Sequence, residues 1–173
     1  MTERFKPDSI LRRLQKDVRQ RVFHRDYGTC ASCGSRERVE AAHIVPPPIE
    51  YLLSHNYEND EQLERDASPF YRLENMVLLC RKCHMLLDYP HLLQEFSTRH
   101  GREEAAELVM KALIDAGVKL EDLKSGGHKR VMESVIERMF DIYGRDYLEI
   151  LEELEKARQE HSGQRVRGDA TER

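Results

Sequence analysis

The chain has 173 residues, 39% of them hydrophobic and 35% charged, with no Trp and a formal net charge of −4. Apolar residues recur periodically, which excludes a disordered chain, and no apolar run approaches the ~18 residues a membrane span needs. The first sixteen residues are charged and lack the apolar stretch of a secretory leader, so a cytoplasmic protein is expected, in which thiols stay reduced.

Residues 1–40 hold ten Lys and Arg against six Asp and Glu, whereas residues 41–94 hold four against eight. Phosphate contact therefore leans on the N-terminal segment, with Arg12, Arg13, Lys16, Arg19, Arg21 and Arg25 as candidates. The competing interpretation of such a cluster is a solvated helix face. Asp8 or Ser9 can cap a helix from Ile10 to about His24, whose apolar residues fall at spacings of three and four. Asp26-Tyr27-Gly28 is a turn signal, and Thr29–Gly34 forms a Cys-x2-Cys knuckle. Val39–Val45 alternates like a short strand, stopped by Pro46-Pro47-Pro48. A polar stretch to Arg72 follows; a loop of that length is functional or locally folded, with a helical turn expected at Tyr51–His55. Leu73–Leu79 is a second apolar run. A helix from Lys82 should end at Tyr89, before Pro90. Glu103–Ala116 should be a helix stopped by Gly117. Ser125-Gly126-Gly127 is a linker, and Val131–Tyr143 and Tyr147–Ala157 are two further helices, with a polar, frayed end after them. The fold class is α+β, mostly helical, with a domain over 1–100 and a C-terminal helical region over 101–173. Stripes at Val131, Val135, Met139 and Ile142, and at Leu148, Leu151 and Leu154, must be buried on the chain itself, in a homodimer or on a protein partner.

Cys30 and Cys33, with Cys80 and Cys83, are the whole cysteine complement. Two Cys-x2-Cys pairs in a reducing compartment supply four thiolates, a complete tetrahedral set for structural Zn²⁺ with no position left for substrate. A redox-active Cys-x2-Cys would need a βαβ setting that the sequence lacks. His43 follows the first strand, Asn75 opens the second apolar run, and His84 follows Cys83. Asp88 lies four residues beyond His84, on the same helix face.

Taken in order, Cys30-x2-Cys33, Ala42-His43-Ile44-Val45-Pro46, Asn75-Met76-Val77-Leu78-Leu79-Cys80-x2-Cys83-His84 and Asp88 resemble the HNH endonuclease family over about residues 20–90. The resemblance implies a ββα-metal core and a metal-dependent DNA endonuclease. It implies a catalytic set of His43 as general base, Asn75 as the residue that fixes the loop, and His84 as a ligand of the catalytic ion. Asp88 matches a further ligand of that ion, which would be Mg²⁺ or another divalent ion such as Mn²⁺ or Ni²⁺. An imidazole base and a cation on the scissile phosphate suit phosphodiester hydrolysis. One departure stands out: many members carry an acidic residue or His just before the first His, where this chain has Ala42. The candidates to replace it are Glu40, His91 or a residue of the long polar stretch, such as Asp60 or Asp66. The alternative function is a non-catalytic zinc module that binds nucleic acid or protein.

Overall fold

A computed structural model describes residues 7–168, and side chains to His161. The order of elements is α1 (Pro7–Arg25), β1 (Val39–His43), α2 (Ile49–Ser54), α3 (Asp60–Ala67), β2 (Met76–Cys80), α4 (Arg81–His100), α5 (Arg102–Asp115), α6 (Leu120–Lys124), α7 (Gly127–Tyr143) and α8 (Asp146–Gly168). The class is α+β and mostly helical. β1 and β2 form a two-stranded sheet. It is antiparallel: the Ile44 N–H donates to the Asn75 carbonyl at one end and the Arg81 N–H to the Arg38 carbonyl at the other. α4 follows β2 without a break.

The chain folds into two compact units whose segments alternate along the sequence. One contains the chain up to Val22, His43–Val77 and the chain from Tyr143. Its core includes Val18, Leu52, Leu63, Phe70, Met76 and Tyr147. The other contains Phe23–Ala42 and Leu78–Ile142. There Leu79, Leu86, Leu87, Val109, Leu113 and Val135 are buried, and α4 packs on α5.

The stretch after the proline triplet is locally folded rather than an open loop. It holds α2, α3 and two 3-10 turns, Ser68–Tyr71 and Leu73–Asn75. Asn59 caps α3, its side chain accepting from the Gln62 N–H, while Gln62 accepts in return from the Glu58 N–H. This is the reciprocal satisfaction of unpaired donors that starts a helix. Gly117 ends α5 as the sequence predicts. Its φ is +81°, and the Gly117 and Val118 N–H groups close back onto the Ile114 and Leu113 carbonyls at 2.9 Å each, a Schellman ending. The terminal helix runs to Gly168, well beyond the expected Ala157; the polar end after residue 168 lies outside the described residues.

Two expectations in the second unit are corrected. α4 does not stop at Tyr89 but continues through Pro90 to His100. Proline lacks the N–H that would reach the carbonyl four residues back, here Leu86. His128 on α7 donates to that carbonyl instead, Nδ1 to O at 3.0 Å, and its ring meets Tyr89 edge-on at 5.8 Å. Nor is Ser125-Gly126-Gly127 a linker. Gly127 begins α7 and is buried, and a Cβ there would stand 2.5 Å from the Asp122 carbonyl oxygen and 3.1 Å from Leu86. Hydrogen in place of a side chain is what lets α7 start this close to α4. Lys82 and Asp122 add an ion pair at 2.9 Å. The α7 stripe is spent here, with Val131, Val135 and Met139 buried; in the other unit Leu154 of α8 is buried and Leu148 remains exposed.

His128→Ala should leave the Leu86 carbonyl without its donor beside Pro90. A loss of about 1–3 kcal/mol in urea-induced unfolding of the zinc-loaded chain is expected, with His128→Gln recovering part of it.

Candidate metal centre and its surroundings

The first knuckle is a tight turn. The Gly34 N–H returns to the Cys30 carbonyl at 2.9 Å, and the Cys30 N–H donates to Ser35 at 2.8 Å. Its neighbour Ala31 donates to the Leu78 carbonyl at 2.8 Å, which docks the knuckle on the middle of β2. Cys80 closes β2 and Cys83 lies in the first turn of α4, so the strand-to-helix junction presents the second pair. All four sulfurs lie within 4.8 Å of one another, and the Cys33 and Cys80 sulfurs are 3.6 Å apart. A tetrahedron with Zn–S bonds of roughly 2.3 Å has edges of roughly 3.8 Å, so the donor set fits zinc in number, chemistry and spacing. Three of the four residues are buried. A hydrogen bond from the Cys83 thiol holds Cys30 down at about 4 despite its burial, and that same bond raises Cys83. Burial raises Cys33. One thiolate supported by thiol donors is what a cluster of this kind sustains on its own; a dication makes all four thiolates stable.

Asp26, which the sequence presented only as part of a turn, is a buried bracket in the same unit. Its carboxylate accepts from the Leu78 N–H at 2.9 Å and from both Arg25 Nε and Nη2 at 2.7 and 2.8 Å. Arg25, read as a phosphate contact, is therefore turned onto Asp26, with its side chain 12% exposed. Arg12 pairs with Asp8 and Arg13 with Glu64. Lys16, Arg19 and Arg21 are exposed on α1.

His84, next to Cys83, stands between two carboxylates. Its Nδ1 is 2.9 Å from Glu40 on β1 and its Nε2 is 2.9 Å from Asp88 one turn along α4. Burial opposes protonation of the ring most strongly. The hydrogen bonds and charge of Asp88 and Glu40 together outweigh it and bring His84 up to about 9. Of the four residues considered in place of an acid at position 42, Glu40 is the one bonded to His84, and Ala42 is itself buried.

In the other unit, Asn75 is fully buried and uses its whole side chain. Its Oδ1 accepts from the Val45 N–H, and its Nδ2 donates to the Val45 and Phe70 carbonyls, each at 2.9 Å. The backbone two residues beyond His43 is thus pinned. The His43 ring meets Tyr71 edge-on at 5.1 Å, and burial pushes the Tyr71 hydroxyl up to about 12, so its neighbour is a neutral phenol.

No helix among the described residues is long and apolar enough to cross a membrane.

Zinc-loaded protein should contain one Zn²⁺ per chain. Stripping it with a chelator should abolish the cooperative thermal transition of the Cys-rich unit, and Cys83→Ser should leave less than one equivalent by elemental analysis. Asn75→Ala should cost about 3 kcal/mol, read by urea unfolding, because it orphans buried donors and acceptors.

No curated protein and no solved structure matches the chain significantly. A family model does: residues 30–93, the segment that carries all four cysteines together with His43, Asn75, His84 and Asp88, match the HNH endonuclease family.

Proposed function

We propose that this chain is a metal-dependent endonuclease that hydrolyses phosphodiester bonds of DNA. The observation that carries the reading is the environment of His84, a helix-borne imidazole held between two carboxylates directly after a zinc-type cysteine pair, inside the segment that matches the HNH endonuclease family. That family membership of the segment supports a nucleic acid as substrate.

Each part of the reaction has a suitable group. An imidazole is the side chain whose ordinary pKa best suits a base near neutral pH. His43 fills that role, taking the proton of the attacking water. Asn75 holds the backbone just beyond His43 and so limits how far that residue can drift; it positions and does not react. His84 holds a divalent ion, with a carboxylate on the other ring nitrogen fixing the ring's orientation. When bound, such an ion polarises the phosphate and stabilises the leaving oxygen. The sulfur cluster is closed to substrate and has a structural part, setting where α4 begins and hence where His84 stands. Lys16, Arg19 and Arg21, exposed on α1, are the residues proposed to meet the DNA backbone.

The test is cleavage of supercoiled plasmid by the zinc-loaded chain with Mg²⁺, Mn²⁺ or Ni²⁺. Conversion to nicked or linear DNA is expected, with His43→Ala and His84→Ala each slowing it at least ~100-fold, the lower range for loss of acid–base catalysis. Equal cutting by wild type and His43→Ala would remove His43 from the reaction. Binding of DNA without cutting under any of the three ions would instead favour the non-catalytic zinc module, the reading that Ala42 supports.

A further inference from the structure

The two ring nitrogens of His84 point in opposite directions, and each has its own carboxylate. One ion binds at one nitrogen, so Glu40 and Asp88 cannot play the same part. We infer that Glu40 shares the ion with His84 Nδ1, while Asp88 is a positioning residue that accepts the Nε2–H. This inference rests on the nuclease reading of the cluster and reverses the sequence-based expectation that Asp88 is the ligand.

The donor chemistry fits on the Glu40 side. An oxygen and a nitrogen each roughly 2.1 Å from one ion, at a right angle, are roughly 3.0 Å apart; Nδ1 and Glu40 Oε2 are 2.9 Å apart. The spacing to Asp88 is the same, so the assignment turns on three other observations. First, Asp88 belongs to the same helix as His84, one turn on. The helix itself fixes the carboxylate against the ring, the arrangement of a residue that accepts the second N–H of a ligating histidine. Glu40 comes from a different element, and an ion there ties β1 to α4. Second, the Glu40 side chain is 45% exposed against 30% for Asp88. An ion beside Glu40 keeps open positions toward solvent for water and phosphate oxygens. Third, residues 40 and 42 share a face of β1 by strand alternation. The methyl group of Ala42 offers no ligand, and the longer Glu side chain one pleat earlier on that face supplies the carboxylate.

The experiment measures ion binding in the zinc-loaded full chain, independently of cleavage. Mn²⁺ is titrated in and followed by the paramagnetic resonance of free Mn²⁺. The wild type should bind one Mn²⁺ beyond its zinc. Asp88→Asn should weaken that binding about 10-fold, the lower end of what loss of a ligand's support produces, and Glu40→Gln, which alters a ligand itself, at least about 100-fold, the upper end of that range or beyond it. In a second measurement, Co²⁺ is added to zinc-loaded Glu40→Cys and Asp88→Cys. A thiolate-to-cobalt charge-transfer band that Glu40→Cys shows, and wild type and Asp88→Cys do not, reports ligation at position 40 directly. The reverse order of affinities, a band in Asp88→Cys alone, or a wild type that takes up no Mn²⁺ beyond zinc overturns the inference. Failure of the two ideas is distinguishable. Mn²⁺ binding that depends on Glu40 without any DNA cleavage sinks the nuclease reading and leaves the ligand assignment standing. Mn²⁺-dependent cleavage with unchanged affinity in Glu40→Gln does the opposite.

Discussion

Four sulfurs that must share one small volume are the constraint from which the rest of the site follows. The two pairs are separated by about fifty residues, and holding both ends of so long an excursion together opposes chain entropy by several kcal/mol. Thiols alone supply little against that, since charging more than one of them in a buried cluster brings like charges together. A dication removes the repulsion and makes metal binding and local folding one event. Cys80 and Cys83 bracket the start of α4, so the sulfur cluster decides where that helix begins, and His84 is the next residue. The chemistry proposed for His84 is therefore one residue away from the sulfur cluster that sets its position.

Two buried polar residues do for the backbone what the sulfurs do for the chain ends. Asp26 takes the N–H of Leu78 with one carboxylate oxygen while Arg25 satisfies both, so neither the charge nor the donor is left bare. Asn75 makes three bonds that an apolar residue of its size could not replace. Asp26 stands where a third strand would otherwise supply a main-chain partner to Leu78, and Asn75 fixes the chain just beyond the end of β1. A two-stranded sheet is marginal by itself, and these brackets are part of what makes this one usable as a platform.

Much of this was legible from residue order. The cysteine spacing announced the metal centre, and the ordered placement of His43, Asn75, His84 and Asp88 around it pointed to the family that residues 30–93 match. Other features were visible only in part. Asn59-x-x-Gln62 ahead of Leu63 is a helix-start signal inside the polar stretch, yet it is short enough to pass for loop. Glu40 was one candidate beside His91 and the residues of the polar stretch, and only three-dimensional proximity to His84 separates it from the rest. Asp26 looked like a turn former because its partner, the Leu78 N–H, is fifty-two residues away. The misreading of Pro90 has the same origin: the local rule is sound, and a distant side chain suspends it.

That last case changes how the length of α4 should be understood. The gap in its hydrogen-bond ladder is filled from another helix, so the turns beyond the proline are a joint property of α4 and α7. Pro90 and His128 thus form a matched pair in which each residue makes sense of the other. An alanine at 90 would bring its own N–H and render the imidazole dispensable, so the effects of changing the two positions together should not add. A change at either position therefore alters what the fold requires of the other, nearly forty residues away in the chain.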